Sequence, residues 1–257
     1  MTPAVSSIAA PEASPRPRWS RRMSPQCCYV AAGRCMPWLW AAAALAATAG
    51  LAIGLAIAPD DATQGDGYRI VFFHAPAAMV SMLLYAMLAA CALGALVRST
   101  RMPALLVRAV APTGALMAFL ALWTGALWAR ATRGVWWAWD AGFVAGALSF
   151  ALCLGVLALH ATLDEPRRRD RAAALLAVMG GVGVATTVNL PWGASLHGGA
   201  TFDAPLSLTG SHAWGLASMG VAFAAWSIAA VLHRLRSIVL ERENGAEWVR
   251  HLPELAR

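Results

Sequence analysis

Residues 71–97 read VFFHAPAAMVSMLLYAMLAACALGALV, a run that contains no Asp, Glu, Lys or Arg. A helix needs about 20 mostly apolar residues to cross the hydrocarbon core of a bilayer. This run is long enough to do so, and it therefore predicts a transmembrane helix with a histidine, His74, near its start.

Five further apolar stretches lie on either side of this run, at 38–58, 104–129, 141–160, 172–190 and 213–232. Only 13% of the 257 residues are charged, and 59% are hydrophobic; soluble domains carry about 25% charged residues. Lipid tolerates no exposed irregular backbone, so an all-α, multi-pass bundle of six transmembrane helices is expected. The predicted organisation is a disordered cytoplasmic tail at 1–36, a membrane domain at 37–233 and a cytoplasmic tail at 234–257.

The basic residues indicate which side of the membrane each connection occupies. All 20 are arginine, and 17 of them fall before the first span, in the second gap or at the start of the span that follows it, in the fourth gap, or after the last span. The other gaps hold only Arg69, Arg130 and Arg133. Positive charge accumulates on the cytoplasmic side, so both termini are predicted to be cytoplasmic. The pI of about 9.9 is thus a topology signal and does not indicate nucleic-acid binding.

The outward-facing gap between the third and fourth spans is rich in aromatic residues. Trp136, Trp137 and Trp139 fall within four positions and are followed by Asp140. Tryptophan is common at the headgroup level, so a membrane-interface belt is one interpretation. The other is a platform for a flat, hydrophobic, partly charged ligand, since indole rings offer a large stacking surface at low entropic cost.

Three histidines also lie on the predicted outer side. His74 begins the second span, where ionisable groups are costly and often functional. His197 lies in a loop beside two glycines, and His212 starts the last span, where a capping or interfacial role is the simpler account. Imidazole is a good ligand for haem iron, and His74 and His197 form a candidate axial pair. A solvated or otherwise satisfied side chain remains the alternative for each of them.

Three segments resemble a known family. WWAWD at 136–140, preceded by Gly134, is similar to the WWD signature of haem-handling membrane proteins, the group of the CcmC, CcmF and CcsA families. HAPAA at 74–78, followed by Ser81 and Met82, resembles the His-Pro-Ala segment of the CcmC family. SLH at 195–197, followed by Gly199 and Thr201, resembles its loop before the last span. The predicted six spans also favour CcmC, because its relatives are larger.

The resemblance implies a function. CcmC-like proteins hold haem b non-covalently at the periplasmic face and pass it to the haem chaperone CcmE, in company with CcmD, CcmA and CcmB. By the resemblance, His74 and His197 are the haem iron ligands, and Trp136, Trp137, Trp139 and Asp140 form the binding loop. One of the outer arginines is expected to pair with a haem propionate. Whether the chain itself is an enzyme is left open, because the partner completes the covalent haem attachment.

Two departures from the family pattern fall in this region. The family continues after the aspartate with Ala-Arg-Leu-Thr, whereas here Gly142 and Val144 replace the arginine and threonine. Gly198 stands where the family commonly has glutamine. The propionate contacts are therefore expected to differ from the usual ones.

Two other classes of function are compatible with a multi-pass bundle. A small-solute permease subunit would show broken helices around a midplane site, and the glycines at 180, 181 and 183 are the one candidate break. Small-residue packing between helices is the simpler interpretation of these glycines. An integral b-type cytochrome or quinone-binding respiratory subunit would need paired histidines within facing spans, and the sequence offers no such pair.

Overall fold

The computed structural model describes residues 24–59, 66–98, 101–137, 139–189, 210–243 and 249. Six long helices account for most of these residues, and no strand occurs among them. They are α1 Pro25–Leu51, α2 Val71–Arg98, α3 Arg101–Arg133, α4 Ala141–Thr162, α5 Pro166–Asn189 and α6 Ser211–Arg242. The predicted all-α multi-pass fold is confirmed. The segment that contains His197 and most of both predicted tails lie outside the described residues.

Five of the six helices are long and apolar enough to cross a membrane; α5 is the exception among them. The first six residues of α5, PRRRDR, include five charged side chains, so its apolar part begins only at residue 172. A sixth span therefore remains a prediction, whereas the other five agree with the expected stretches.

Helix α1 begins earlier than expected. Ser24 caps it by accepting a hydrogen bond from the backbone N–H of Cys27, and Pro25 occupies the first helical position, where proline loses no hydrogen bond. Residues 25–36, which the sequence assigns to a disordered tail, are instead the first three turns of this helix. The apolar pattern alone does not reveal this start, because capping determines it.

The far end of α1 widens into a π-helical turn, Ala52–Ile57, in which the Ala58 N–H donates to the Ile53 carbonyl at 2.7 Å. Arg69, in the short 3₁₀ helix Asp66–Ile70, donates to the Gly54 and Leu55 carbonyls at 3.0 and 2.7 Å. A helix end leaves such carbonyls without intrahelical partners. Arg69 therefore joins the end of α1 to the start of α2.

The helices pack through small residues. Helix α1 packs chiefly on α6, whereas α3 contacts α2, α4 and α6 and is the most buried of the five spans. The Phe72 ring fits between Gly54 and Gly215. A Cβ added to Gly54 would lie 2.8 Å from this ring, and one added to Gly215 would lie 2.7 Å from it. Close approach through small residues is how helices associate in lipid, where burial from water provides no driving force.

Successive helices run in opposite directions through the bundle. Helices α2, α4 and α6 therefore begin at the same end of the bundle, here called the His74 end. At the other, the arginine-rich end, the carboxylate of Asp170 on α5 accepts two hydrogen bonds from Arg242 on α6, at 2.9 and 2.8 Å. His160 of α4 lies 3.8 Å from the same carboxylate. These partly buried contacts hold three helices together at the end opposite His74.

Candidate functional site

His74 lies in the first turn of α2 and faces α3. Its Nδ1 is 3.1 Å from the Ala121 carbonyl oxygen and 3.2 Å from the Thr124 hydroxyl. Its ring stacks on Trp128, with centroids 6.5 Å apart and planes inclined by 29°. The imidazole is half-buried, and neighbouring groups on one helix restrict its position.

Gly125 makes this approach possible. A Cβ at this position would lie 2.9 Å from Cε1 of His74 and 3.4 Å from the Phe143 ring. Ala121, Thr124, Gly125 and Trp128 follow one another at helical spacing of three, one and three residues, so they form one stripe on α3. This stripe is the surface against which the histidine rests.

The tryptophan loop begins where α3 ends. Gly134 has a φ of +75°, the left-handed conformation that favours glycine, and its N–H donates to the Arg130 carbonyl at 3.1 Å. This geometry is a common helix stop. The Arg130 side chain in turn hydrogen-bonds the Gly134 carbonyl. The loop therefore leaves the helix in a defined direction.

The three tryptophans of the loop remain accessible. Trp136, Trp137 and Trp139 are 55%, 39% and 79% exposed. Trp137 makes edge contacts with both Trp139 and Phe143, with centroids 5.5 and 5.3 Å apart. Trp137 thus holds the loop to α4, while most of the indole surface stays available to a ligand or to lipid.

Asp140 has a structural position that the sequence does not show. It is only 3% exposed, it caps α4, and its Oδ1 accepts a hydrogen bond from the Phe143 N–H at 2.9 Å. An N-cap carboxylate satisfies a free helix donor and lies favourably in the helix dipole. The aspartate of the expected binding loop therefore faces inward and fixes where α4 starts.

The arginines of this end differ in their contacts. Arg69 is engaged with the α1 carbonyls, and Arg130 with Gly134 and with the Trp136 ring, 5.8 Å from its centroid. The guanidinium of Arg133 lies 5.7 Å from the centroid of Trp128, the ring that also stacks on His74. Within the described part of the chain, Arg133 makes this aromatic contact and no hydrogen bond or ion pair.

His212 belongs to a different cluster. Its Nε2 is 3.0 Å from the Pro59 carbonyl oxygen, and its ring stacks on Phe72 and meets Tyr68 edge-on. Phe72 packs against α1 and α6, whereas His74 packs against α3. This agrees with the expected interfacial role of His212 and separates it from His74. The expected partner of His74, His197, lies outside the described residues.

A cavity of about 380 Å³ lies between α1, α3 and α6. Its lining is wholly apolar, with no histidine or charged residue: Trp40, Ala43, Ala44, Ala47, Leu116, Met117, Leu120, Ala222, Phe223 and Trp226. A metal centre needs donor atoms, so this cavity is not the site that the histidines predict.

Sequence reasoning missed the stripe on α3. Thr124 and Gly125 are not unusual residues in an apolar span, and Ala121 contributes only its backbone carbonyl. The signal in the sequence was their spacing relative to Trp128, which places them on the same face of a helix. This spacing indicates a contact with His74 only when α3 is known to face that histidine.

Comparisons with known proteins agree with the resemblance found in the sequence. The model of the CcmC family, described as Heme exporter protein C, matches residues 18–250. The chain belongs to this family. It is similar to Heme exporter protein C of Escherichia coli K12, 35% identical over 234 residues that cover 87% of this chain and 91% of that protein.

Two further CcmC relatives show similar agreement. Heme exporter protein C of Bradyrhizobium diazoefficiens is 36% identical over 221 residues, 81% of this chain and 80% of the relative. That of Haemophilus influenzae is 40% identical over 159 residues, 59% of this chain and 62% of the relative. The CcmC match includes His74, the tryptophan loop and the segment with His197.

Proposed function

We propose that this CcmC family member binds haem b non-covalently at its His74 end and passes it to a haem chaperone of the CcmE type. Haem is the substrate of this process, and the CcmC assignment gives it a role in haem export for cytochrome c maturation. One observation carries the proposal: the His74 imidazole is held by α3 and stacks on Trp128 of that helix, and the exposed tryptophan loop follows the end of the same helix.

The residues of this end fit the chemistry of haem. His74 and His197 supply the two imidazoles, and Trp136, Trp137 and Trp139 supply apolar surface for the macrocycle. Asp140 anchors the binding loop to α4 by capping that helix, which positions the tryptophans for the ligand. Arg133 is the best candidate for a haem propionate, because Arg69 and Arg130 already donate to backbone carbonyls.

The proposed setting is the bacterial inner membrane, with both termini in the cytoplasm and the His74 end at the periplasmic face. The arginine distribution supports this orientation. CcmD, CcmA and CcmB are the proposed companions, since CcmC proteins act with them. The covalent attachment of haem is completed on the chaperone, so this chain supplies a binding and presentation site.

The optical spectrum of the detergent-purified protein, expressed with a CcmE-type partner, tests the proposal. Wild type is expected to show a bis-histidine haem spectrum, which His74→Ala and His197→Ala lose. His212→Ala is the matched control at the same end and is expected to keep its haem, because His212 contacts Pro59 and Phe72. Normal haem content in both ligand variants would contradict the assignment.

The structure favours neither alternative function. Helix α5 runs without interruption through the glycines, and a Cβ at Gly180 would lie 2.5 Å from both Leu152 and the Tyr85 hydroxyl. Tight packing of this kind is not the broken helix of a permease site. Of the four histidines in the described helices, His160 and His233 lie at the arginine-rich end, whereas His74 and His212 lie at the other end in separate clusters. The described histidines therefore supply no pair of the kind that an integral cytochrome needs.

A further inference from the structure

The hydrogen bonds around His74 determine which of its nitrogens carries the proton. Nδ1 lies 3.1 Å from the Ala121 carbonyl oxygen, which can only accept a hydrogen bond. An unprotonated Nδ1 would place two lone pairs against each other at that distance. Nδ1 must therefore carry a proton and donate it to this carbonyl.

The Thr124 hydroxyl also acts as a hydrogen-bond acceptor toward His74. Its hydroxyl donates to the Leu120 carbonyl at 2.6 Å, with the Ala121 carbonyl 3.3 Å away. Since its proton is committed to the helix backbone, its oxygen presents a lone pair to Nδ1 at 3.2 Å. The Nδ1–H is thus shared between two acceptors from the same turn of α3.

We propose that Thr124 is a positioning residue for the haem ligand. Together with the Ala121 carbonyl, its hydroxyl oxygen holds His74 in the Nδ1–H tautomer, which gives Nε2 the lone pair that binds iron. This inference rests on the proposed function, because it assumes that His74 is the ligand. It adds a residue for which the family motifs supply no role.

Two consequences follow for the bound iron. A hydrogen-bond acceptor on Nδ1–H makes the other nitrogen, Nε2, a stronger electron-pair donor to a metal. Removal of such an acceptor typically weakens metal binding about 10- to 100-fold. The stronger donor favours ferric over ferrous iron, so its loss raises the midpoint potential. Trp128 and Gly125 restrict the plane of the ring, and Thr124 restricts its rotation within that plane.

The test compares Thr124→Val with Thr124→Ser in protein co-expressed with the CcmE-type partner. Valine keeps the shape but removes the oxygen, whereas serine keeps the oxygen. Thr124→Ala, compared with Thr124→Ser, repeats the comparison at smaller volume in case valine prevents folding. Thr162→Val is the control, because Thr162 makes the same hydrogen bond to the carbonyl four residues earlier, at 2.8 Å, and lies at the opposite end.

Three quantities are measured: retained haem, the midpoint potential, and the low-spin ferric EPR g values, which depend on the orientation of the axial rings. Thr124→Val and Thr124→Ala are expected to retain haem about 10-fold less tightly, with a raised midpoint potential and shifted g values. Thr124→Ser and Thr162→Val are expected to match wild type.

The outcomes separate this inference from the proposed function. If His74→Ala loses the haem spectrum but the valine and alanine variants keep the wild-type potential and g values, the Ala121 carbonyl alone positions the ring and the inference is wrong. If His74→Ala keeps its haem, His74 is not the ligand and the proposed function itself fails. Lower yield with unchanged potential and g values would indicate a purely structural role for Thr124 and also contradict the inference.

Discussion

At the scale of single residues, Asp140 combines a family motif with a structural contact. Its carboxylate is buried and caps α4, so we expect its role to depend on an oxygen acceptor and not on its charge. Asp140→Asn is expected to retain most haem, since asparagine is an equally good N-cap, whereas Asp140→Ala is expected to lose about 1 kcal/mol of stability and much of its haem.

Thermal melting in detergent and the haem content of the purified variants check this expectation. If Asp140→Asn loses haem as completely as Asp140→Ala while both melt like wild type, the carboxylate contacts the ligand directly.

Arg133 and Arg69 are expected to differ when each is neutralised. Arg133→Gln removes the proposed propionate partner and is expected to weaken haem retention several-fold, with the bis-histidine spectrum unchanged. Arg69→Gln instead removes two hydrogen bonds to the end of α1 and is expected to lower the melting temperature. Haem titration and thermal melting of both variants separate the two roles, and the reverse pattern would assign the propionate to Arg69.

The residues that carry the site differ in how far the sequence reveals them. His74 and the tryptophans are conspicuous because such side chains are rare or clustered in an apolar chain. Thr124 is not conspicuous, since a threonine in a span usually bonds its own helix, as it does here. Its second contact depends on how α2 and α3 pack, and a pattern within one helix cannot supply that information.

At the scale of helices, Gly125 sets the distance between α2 and α3 at His74. Gly125→Ala is expected to displace the imidazole, because the new methyl group would lie 2.9 Å from Cε1. A marked loss of haem is expected. Gly220→Ala in α6 is the control, because a Cβ there meets no atom within 4 Å, and alanine favours a helix by roughly 1 kcal/mol over glycine.

Haem content and melting temperature are measured for both variants. Equal haem retention in the two would mean that the helices separate at little cost and that Gly125 does not limit the site.

The helix boundaries show which physical signals the sequence makes visible. The starts of α2 at Val71 and of α4 at Ala141 agree with prediction, since each apolar run begins just after a charged residue, Arg69 or Asp140. Helices α3 and α6 extend beyond their apolar runs, to Arg133 and Arg242, because helical hydrogen bonding continues outside the apolar region. Hydropathy marks the membrane, whereas caps and glycines mark the ends of a helix.

At the scale of the whole molecule, the arginine-rich end is expected to contribute stability and not binding. Asp170→Asn removes the charge from a two-point contact with Arg242 in which both side chains are largely buried, and is expected to cost about 2 kcal/mol. Glu165→Gln is the control, since its pair with Arg168 is exposed on both sides and worth little.

Melting in detergent reports the stability, and the haem spectrum reports the opposite end. A change in spectrum in Asp170→Asn at unchanged stability would show that the two ends are coupled, contrary to this expectation.

The pairing of α1 with α6 has a consequence for how the protein is made. The ribosome releases α1 first and α6 last, so α1 meets its principal partner only after the whole membrane domain has been synthesised. Until then α1 lacks its main packing surface and faces lipid over most of its length, which suits its largely apolar and lightly buried surface. A chain interrupted before α6 would leave the first helix without its principal packing partner in the bilayer.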